Sequence, residues 1–79
     1  ENELMGKQVA ETVNKAMDGL PEELRTAITL REIEGLSYEE IASMMNCPIG
    51  TVRSRIFRAR ETIAERLRPM LGTDKDTRW

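Results

Sequence analysis

Apolar residues recur along this chain at helical spacing. Met5, Val9, Val13, Ala16, Met17 and Leu20 follow one another at intervals of one, three or four, which predicts a first amphipathic helix ending at Leu20-Pro21. Pro21 suits the first turn of a second helix, because its missing N–H costs nothing there, and Glu22 and Glu23 then sit at the positive end of the helix dipole. That helix carries Leu24, Ala27, Ile28 and Leu30 and stops at Gly35, a residue favoured just past helix ends. Ser37 followed by Glu40 is a capping box, so a short third helix is expected from about Tyr38 to Met45. Asn46 falls where the chain must turn sharply, and Asn is among the few non-glycine residues that accept a left-handed backbone at low cost. Pro48 marks the start of a fourth helix, with one long stripe of Val52, Ile56, Ala59, Ile63, Leu67 and Met70. No strand-like alternation appears. The pattern predicts an all-α, four-helix domain over residues 1–71 and a frayed polar tail over 72–79.

Composition narrows the class. Seventy-nine residues suffice for one small domain, since a chain of this size buries only about 60% of its unfolded surface. The hydrophobic share of 39% and charged share of 33% fit a charge-rich helical domain rather than a disordered chain. No apolar run approaches the roughly 20 residues of a membrane span, and no signal-peptide pattern is visible, so no membrane insertion and a cytoplasmic location are expected. One cysteine and no histidine argue against a disulfide or a zinc site, and neither a metal nor another cofactor is expected. Because the chain opens Glu1-Asn2-Glu3 without an initiator Met, it reads as a fragment or processed product.

The net charge of −2 hides an uneven distribution. Residues 1–45 hold four Lys/Arg and ten Asp/Glu, a balance of −6, whereas residues 46–68 hold six Arg and two Glu, a balance of +4. At physiological salt a basic face matters more for phosphate attraction than the total charge does.

Set on a wheel at 100° per residue, Val52, Ile56, Ala59 and Ile63 lie within roughly 60° of one another and must face inward. The opposite face presents Gly50, Arg53, Ser54, Phe57, Arg58 and Glu61. A helix fits the DNA major groove, where Arg pairs bidentately with guanine, Ser bonds either way and an aromatic ring meets a thymine methyl. In the short helix before it, bulky Ile41 beside small Ala42 allows close approach of the next helix. Short helix, tight turn and long basic helix form the helix-turn-helix arrangement, in a three-helix core like that of winged-helix proteins but without a wing. Arg31, Tyr38 and Thr51 would then lie near the groove edges, suited to phosphate contacts. Arg55 and Arg60 fall on the flanks of the core stripe, where Arg stems pack and heads reach water.

Competing readings exist for each feature. An Arg-rich amphipathic helix taken alone reads as a solvated face, and the adjoining short helix and turn favour DNA instead. First-turn carboxylates at Glu22, Glu23, Glu39 and Glu40 serve the helix dipole, so no enzymatic activity is expected. Cys47 reads as a small buried hydrophobe rather than a redox sensor, while Met44 and Met45 fit core and partner surface equally. An exposed Phe57 is poorly explained by a core role alone.

Several runs together carry a family resemblance. Leu20-Pro21-Glu22-Glu23-Leu24-Arg25, Leu30-Arg31-Glu32, Gly35-Leu36-Ser37-Tyr38-Glu39-Glu40-Ile41-Ala42 and Gly50-Thr51-Val52-Arg53-Ser54-Arg55-Ile56-Phe57-Arg58-Ala59-Arg60 appear in this order. They resemble region 4 of extracytoplasmic-function sigma factors, and Cys47-Pro48-Ile49-Gly50 with the Ile56-Phe57 pair points to the envelope-stress sigma-E branch. The resemblance covers about residues 8–71. It implies that the fourth helix reads a GGAAC-like minus-35 promoter element in double-stranded DNA. It further implies docking on the flap of the RNA polymerase beta subunit and sequestration by an anti-sigma factor. Matched position by position, Pro48, Gly50, Arg53, Ser54, Phe57 and Arg58 take the base-reading places, and Arg31 and Tyr38 take phosphate-contacting ones. The alternatives are the C-terminal effector domain of a response regulator or quorum-sensing activator, and a purely protein-binding helical module whose Arg face meets an acidic partner.

Overall fold

A computed structural model describes the backbone of residues 2–70 and the side chains of residues 6–70. Met5, as a core side chain, and the expected tail over 72–79 therefore lie outside the described residues. Among the described residues four helices follow in order: α1 (Asn2–Asp18), α2 (Glu22–Ile28) running on into a π turn (Thr29–Ile33), α3 (Tyr38–Met45) and α4 (Ile49–Leu67). The described residues contain no strand.

The connections obey the local signals, with two departures. After α1 the chain turns through Gly19 and Leu20, and the Arg25 guanidinium donates to the carbonyls of Asp18 and Leu20 at 3.3 Å each. A cation thus meets the negative end of α1. Pro21 stands one position before α2 as its cap, with an extended ψ of 150°. The first departure is the π turn. Glu34 N–H bonds to Thr29 C=O at 3.1 Å and Leu36 N–H to Leu30 C=O at 3.0 Å, so the helix widens by one residue before Gly35 reverses it at φ 77°. No periodicity signals such a bulge, which changes hydrogen bonding without changing residue type.

The second departure is at the end of α4. The apolar stripe runs on to Met70, but the helix stops at Leu67: Arg68 is still helical at φ −54° and ψ −48° and donates its N–H to Ala64 C=O, and Pro69 then has no N–H to continue the ladder. Met70 still turns inward, and its sulfur accepts a hydrogen bond from the Thr12 hydroxyl of α1.

Between α3 and α4 the turn is built as the sequence predicts. Ser37 Oγ accepts from Glu40 N–H at 3.0 Å while Glu40 Oε1 accepts from Ser37 N–H at 2.8 Å, closing the capping box. Asn46 adopts φ 58°, and the bonds Cys47 N–H to Ala42 C=O (3.0 Å) and Asn46 N–H to Ser43 C=O (3.3 Å) close α3 as a Schellman motif.

Among the described residues two clusters form the core. Ala27 of α2, Ile41 of α3, and Val52 and Ile56 of α4 are all at most 1% exposed, ringed by Leu30, Leu36, Tyr38, Ala42, Met45 and Cys47. Leu20, Ile28 and Ala59, with Met17, Leu24 and Ile63 beside them, join α1 to the α2 and α4 side. No polar or charged side chain is buried among the described residues. Burying an Ile or Leu side chain contributes about 1.5–3 kcal/mol, so these few aliphatics fix how α4 lies against α2 and α3. Its opposite face is thereby turned to solvent.

Candidate nucleic-acid interface

The apolar stripe of α4 is anchored at Val52, Ile56 and Ala59, so the residues roughly half a turn away point outward. Pro48, Gly50, Arg53, Ser54, Phe57, Arg58 and Glu61 are all exposed, as the wheel predicts. Phe57 is 62% exposed, a large apolar surface that the fold itself does not use. A Cβ added at Gly50 would meet nothing within 4 Å, so packing within the chain does not require a glycine there. Pro48 caps α4 without a side-chain hydrogen bond, its carbonyl accepts from Thr51 N–H at 3.0 Å and Val52 N–H at 3.2 Å, and Thr51 is half-buried at this helix N-terminus. Such an end favours an anion.

An open groove of about 630 Å³ runs along this face between the start of α2 and the first turns of α4. Pro48, Gly50, Thr51, Ser54 and Arg58 line one wall, and Pro21, Glu23 and Leu24 the other. Glu23 makes the far wall acidic, which leaves the α4 wall as the one suited to an anionic partner.

Arg31, Tyr38 and Arg53, far apart in sequence, meet at one corner. The Arg31 guanidinium lies 4.8 Å from the Tyr38 ring centroid and donates to Leu36 C=O at 2.9 Å. The Arg53 guanidinium lies 5.8 Å from the same ring. Among the described residues neither Arg53 nor Arg58 carries an ion pair.

The flanking arginines behave differently from one another. Arg60 pairs with Glu32 of the π turn, both about half exposed, through its Nε and Nη2 atoms. The hydrogen bond to Glu32 pushes the guanidinium above its ordinary range; slight burial opposes this, and the charges of Glu32 and Tyr38 add smaller upward contributions. An exposed pair of this kind contributes about 0–1 kcal/mol, so it orients Arg60 more than it stabilises the fold. Arg55 is half-buried, with its Nη1 3.9 Å from the Cys47 sulfur. Cys47 itself is half-buried against the core rather than fully enclosed. The wheel gives no hint of the Arg60–Glu32 clasp, because its partners stand 28 residues apart on different elements.

Fold and face together define a helix-turn-helix protein with an uncommitted cationic surface. The family described as "Sigma-70, region 4" matches residues 10–63, and the chain belongs to it. It is 56% identical over 71 residues to the ECF RNA polymerase sigma-E factor of Haemophilus influenzae, covering 90% of this chain and 38% of that protein. It is 55% identical over 71 residues to those of Escherichia coli K12 and Salmonella typhimurium LT2, covering 90% of this chain and 37% of theirs. The chain thus spans less than two-fifths of the length of these curated relatives. No helix among the described residues is long and apolar enough to cross a membrane.

Proposed function

We propose that α4 enters the major groove of promoter DNA and reads a GGAAC-like minus-35 element, so directing RNA polymerase to its start sites. Arg53 and Arg58 pair with guanine, Ser54 and Phe57 read neighbouring bases, and Pro48 and Gly50 let the backbone approach. Arg31, Tyr38 and Thr51 hold phosphates. The observation that carries this reading is the face of α4 itself, with an aromatic ring 62% exposed between two arginines that have no acidic partner. Membership of the region 4 family and the names of the relatives support it.

The same reading places the chain in the cytoplasm, docked on the beta-subunit flap of polymerase and subject to an anti-sigma factor. Ile33 and Met44, 67% and 65% exposed and both off α4, offer apolar surface for protein contacts. No catalytic step is assigned to the chain.

One helix-turn-helix without a dimer partner fills a single major-groove segment, so the isolated chain binds at micromolar strength or weaker. Tethering to polymerase makes the contact intramolecular and raises the effective concentration without any new base contact. Fluorescence anisotropy on a GGAAC duplex and a scrambled duplex, over a range of salt, tests the proposal. With about two to three phosphates neutralised, affinity falls roughly 12- to 40-fold for a fourfold rise in salt, and the GGAAC duplex is preferred throughout. Equal binding to both duplexes refutes base reading. Nanomolar, salt-resistant binding by the isolated chain points to a self-sufficient regulator instead.

A further inference from the structure

Tyr38 stands at the only place among the described residues where two guanidinium groups meet one aromatic ring. Its ring is held from two sides. The capping box of Ser37 and Glu40 fixes the first turn of α3, where Tyr38 is the first residue, and the ring packs half-buried beside Ala27, Ile41, Val52 and Ile56. Arg31 is fixed in turn by its bond to Leu36 C=O and its approach to the ring at 4.8 Å. Arg53 is the contrasting member. It is exposed, has no ion pair, and meets Tyr38 at 5.8 Å, inside the range of about 6 Å for a cation over a ring.

An exposed arginine loses much rotamer freedom when it docks on a base, and a group already oriented loses less. Arg58 shares the exposed face but has no such ring beside it.

From this we propose that Tyr38 is a positioning residue for base recognition: its ring, fixed by the α3 cap and the core, pre-orients Arg53 for guanine, while Arg58 reads without such support. The proposal rests on the reading of α4 as a base-reading helix. It gives Tyr38 a task separate from any phosphate contact of its hydroxyl, because the ring and the hydroxyl can be removed independently.

The test uses the 79-residue chain and GGAAC duplexes in which each guanine pair is replaced in turn. Arg53→Ala and Arg58→Ala first identify the base that each arginine reads. Tyr38→Leu then lowers discrimination at the Arg53 base about two- to fivefold and leaves it unchanged at the Arg58 base. Tyr38→Phe keeps both, whatever it loses equally on all duplexes through the missing hydroxyl. In an Arg53→Ala background, Tyr38→Leu has no further effect on discrimination. Unchanged or increased discrimination at the Arg53 base in Tyr38→Leu overturns the proposal, as does an equal loss at both bases. Because Tyr38→Leu also removes core contact, NMR of the parent chain supplies an independent reading. The Arg53 δ protons are expected upfield of those of Arg58 through the ring current, and equal shifts overturn the proposal without any variant. A parent chain with no preference for GGAAC refutes the base-reading helix itself, a failure seen before any Tyr38 variant is measured.

Discussion

Replacing Ile56 in a graded series measures how firmly the core holds the outward face of α4. Ile56 is 1% exposed and touches a cluster made of Ala27, Ile41 and Val52, with no polar side chain buried anywhere among the described residues. Ile56→Val removes one methyl and is expected to cost about 0.5–1.5 kcal/mol, whereas Ile56→Ala leaves a cavity and costs about 2–5 kcal/mol. Ile56→Asp loses the same apolar contacts and adds an unpaired carboxylate, for which burial costs several kcal/mol more. At roughly 0.05–0.15 kcal/mol per residue, the described part of the chain has a stability of about 4–10 kcal/mol, and small domains lie toward the lower end. The aspartate variant is therefore expected to be unfolded at room temperature. For a domain of this size each kcal/mol moves the melting temperature about 4–8 °C, so Ile56→Val should melt about 2–12 °C below the parent. Ser54→Ala, on the exposed face, should change stability by less than about 0.5 kcal/mol. Thermal and urea unfolding followed by circular dichroism at the helix band gives all four values. An aspartate variant that melts with the parent refutes the orientation of α4, and with it the choice of every residue on the reading face.

Other substitutions probe the turn and the surface separately. Asn46→Val forces a branched side chain into φ 58° and should cost about 1–2 kcal/mol in urea unfolding, while Asn46→Gly leaves stability nearly unchanged. Equal stability of these two would show that the left-handed turn relaxes. Gly50→Ala meets no neighbour within 4 Å and should leave the fold intact or stabilise it by up to about 1 kcal/mol, yet weaken duplex binding severalfold. Undiminished binding would remove Gly50 from the interface. Arg53→Ala and Arg58→Ala should each reduce discrimination at one guanine by about 1–3 kcal/mol in anisotropy titrations. Losses equal on GGAAC and scrambled duplex would confine them to phosphate contact.

Much of the fold is legible because its determinants are local. The α4 stripe follows from a 3.6-residue period, the start of α3 from Ser37 and Glu40, and its end from the tolerance of Asn46 for φ 58°. Exposure of the site face follows from the same period, since anchoring Val52, Ile56 and Ala59 inward leaves Arg53, Ser54, Phe57 and Arg58 outside. What a period cannot supply is pairing between elements. That Arg60 is tied to Glu32, and that Arg53 shares the Tyr38 ring with Arg31, depends on how α2 and its π turn lie against α3 and α4. The widened turn at Thr29–Ile33 has no compositional mark, whereas the early end of α4 could have been found from Pro69.

Replacing guanine with 7-deazaguanine in the GGAAC duplex tests most directly whether α4 reads guanine edges in the major groove. That change removes the N7 acceptor, half of what a bidentate arginine engages, while leaving Watson–Crick pairing and phosphate charge in place. Direct readout predicts a loss of roughly two- to tenfold in affinity per guanine, absent on scrambled duplex and absent for the variant lacking the arginine concerned. Preference for GGAAC that persists undiminished on the 7-deazaguanine duplex would rule out direct readout of guanine N7 by α4 and move recognition to the minor groove or to DNA shape.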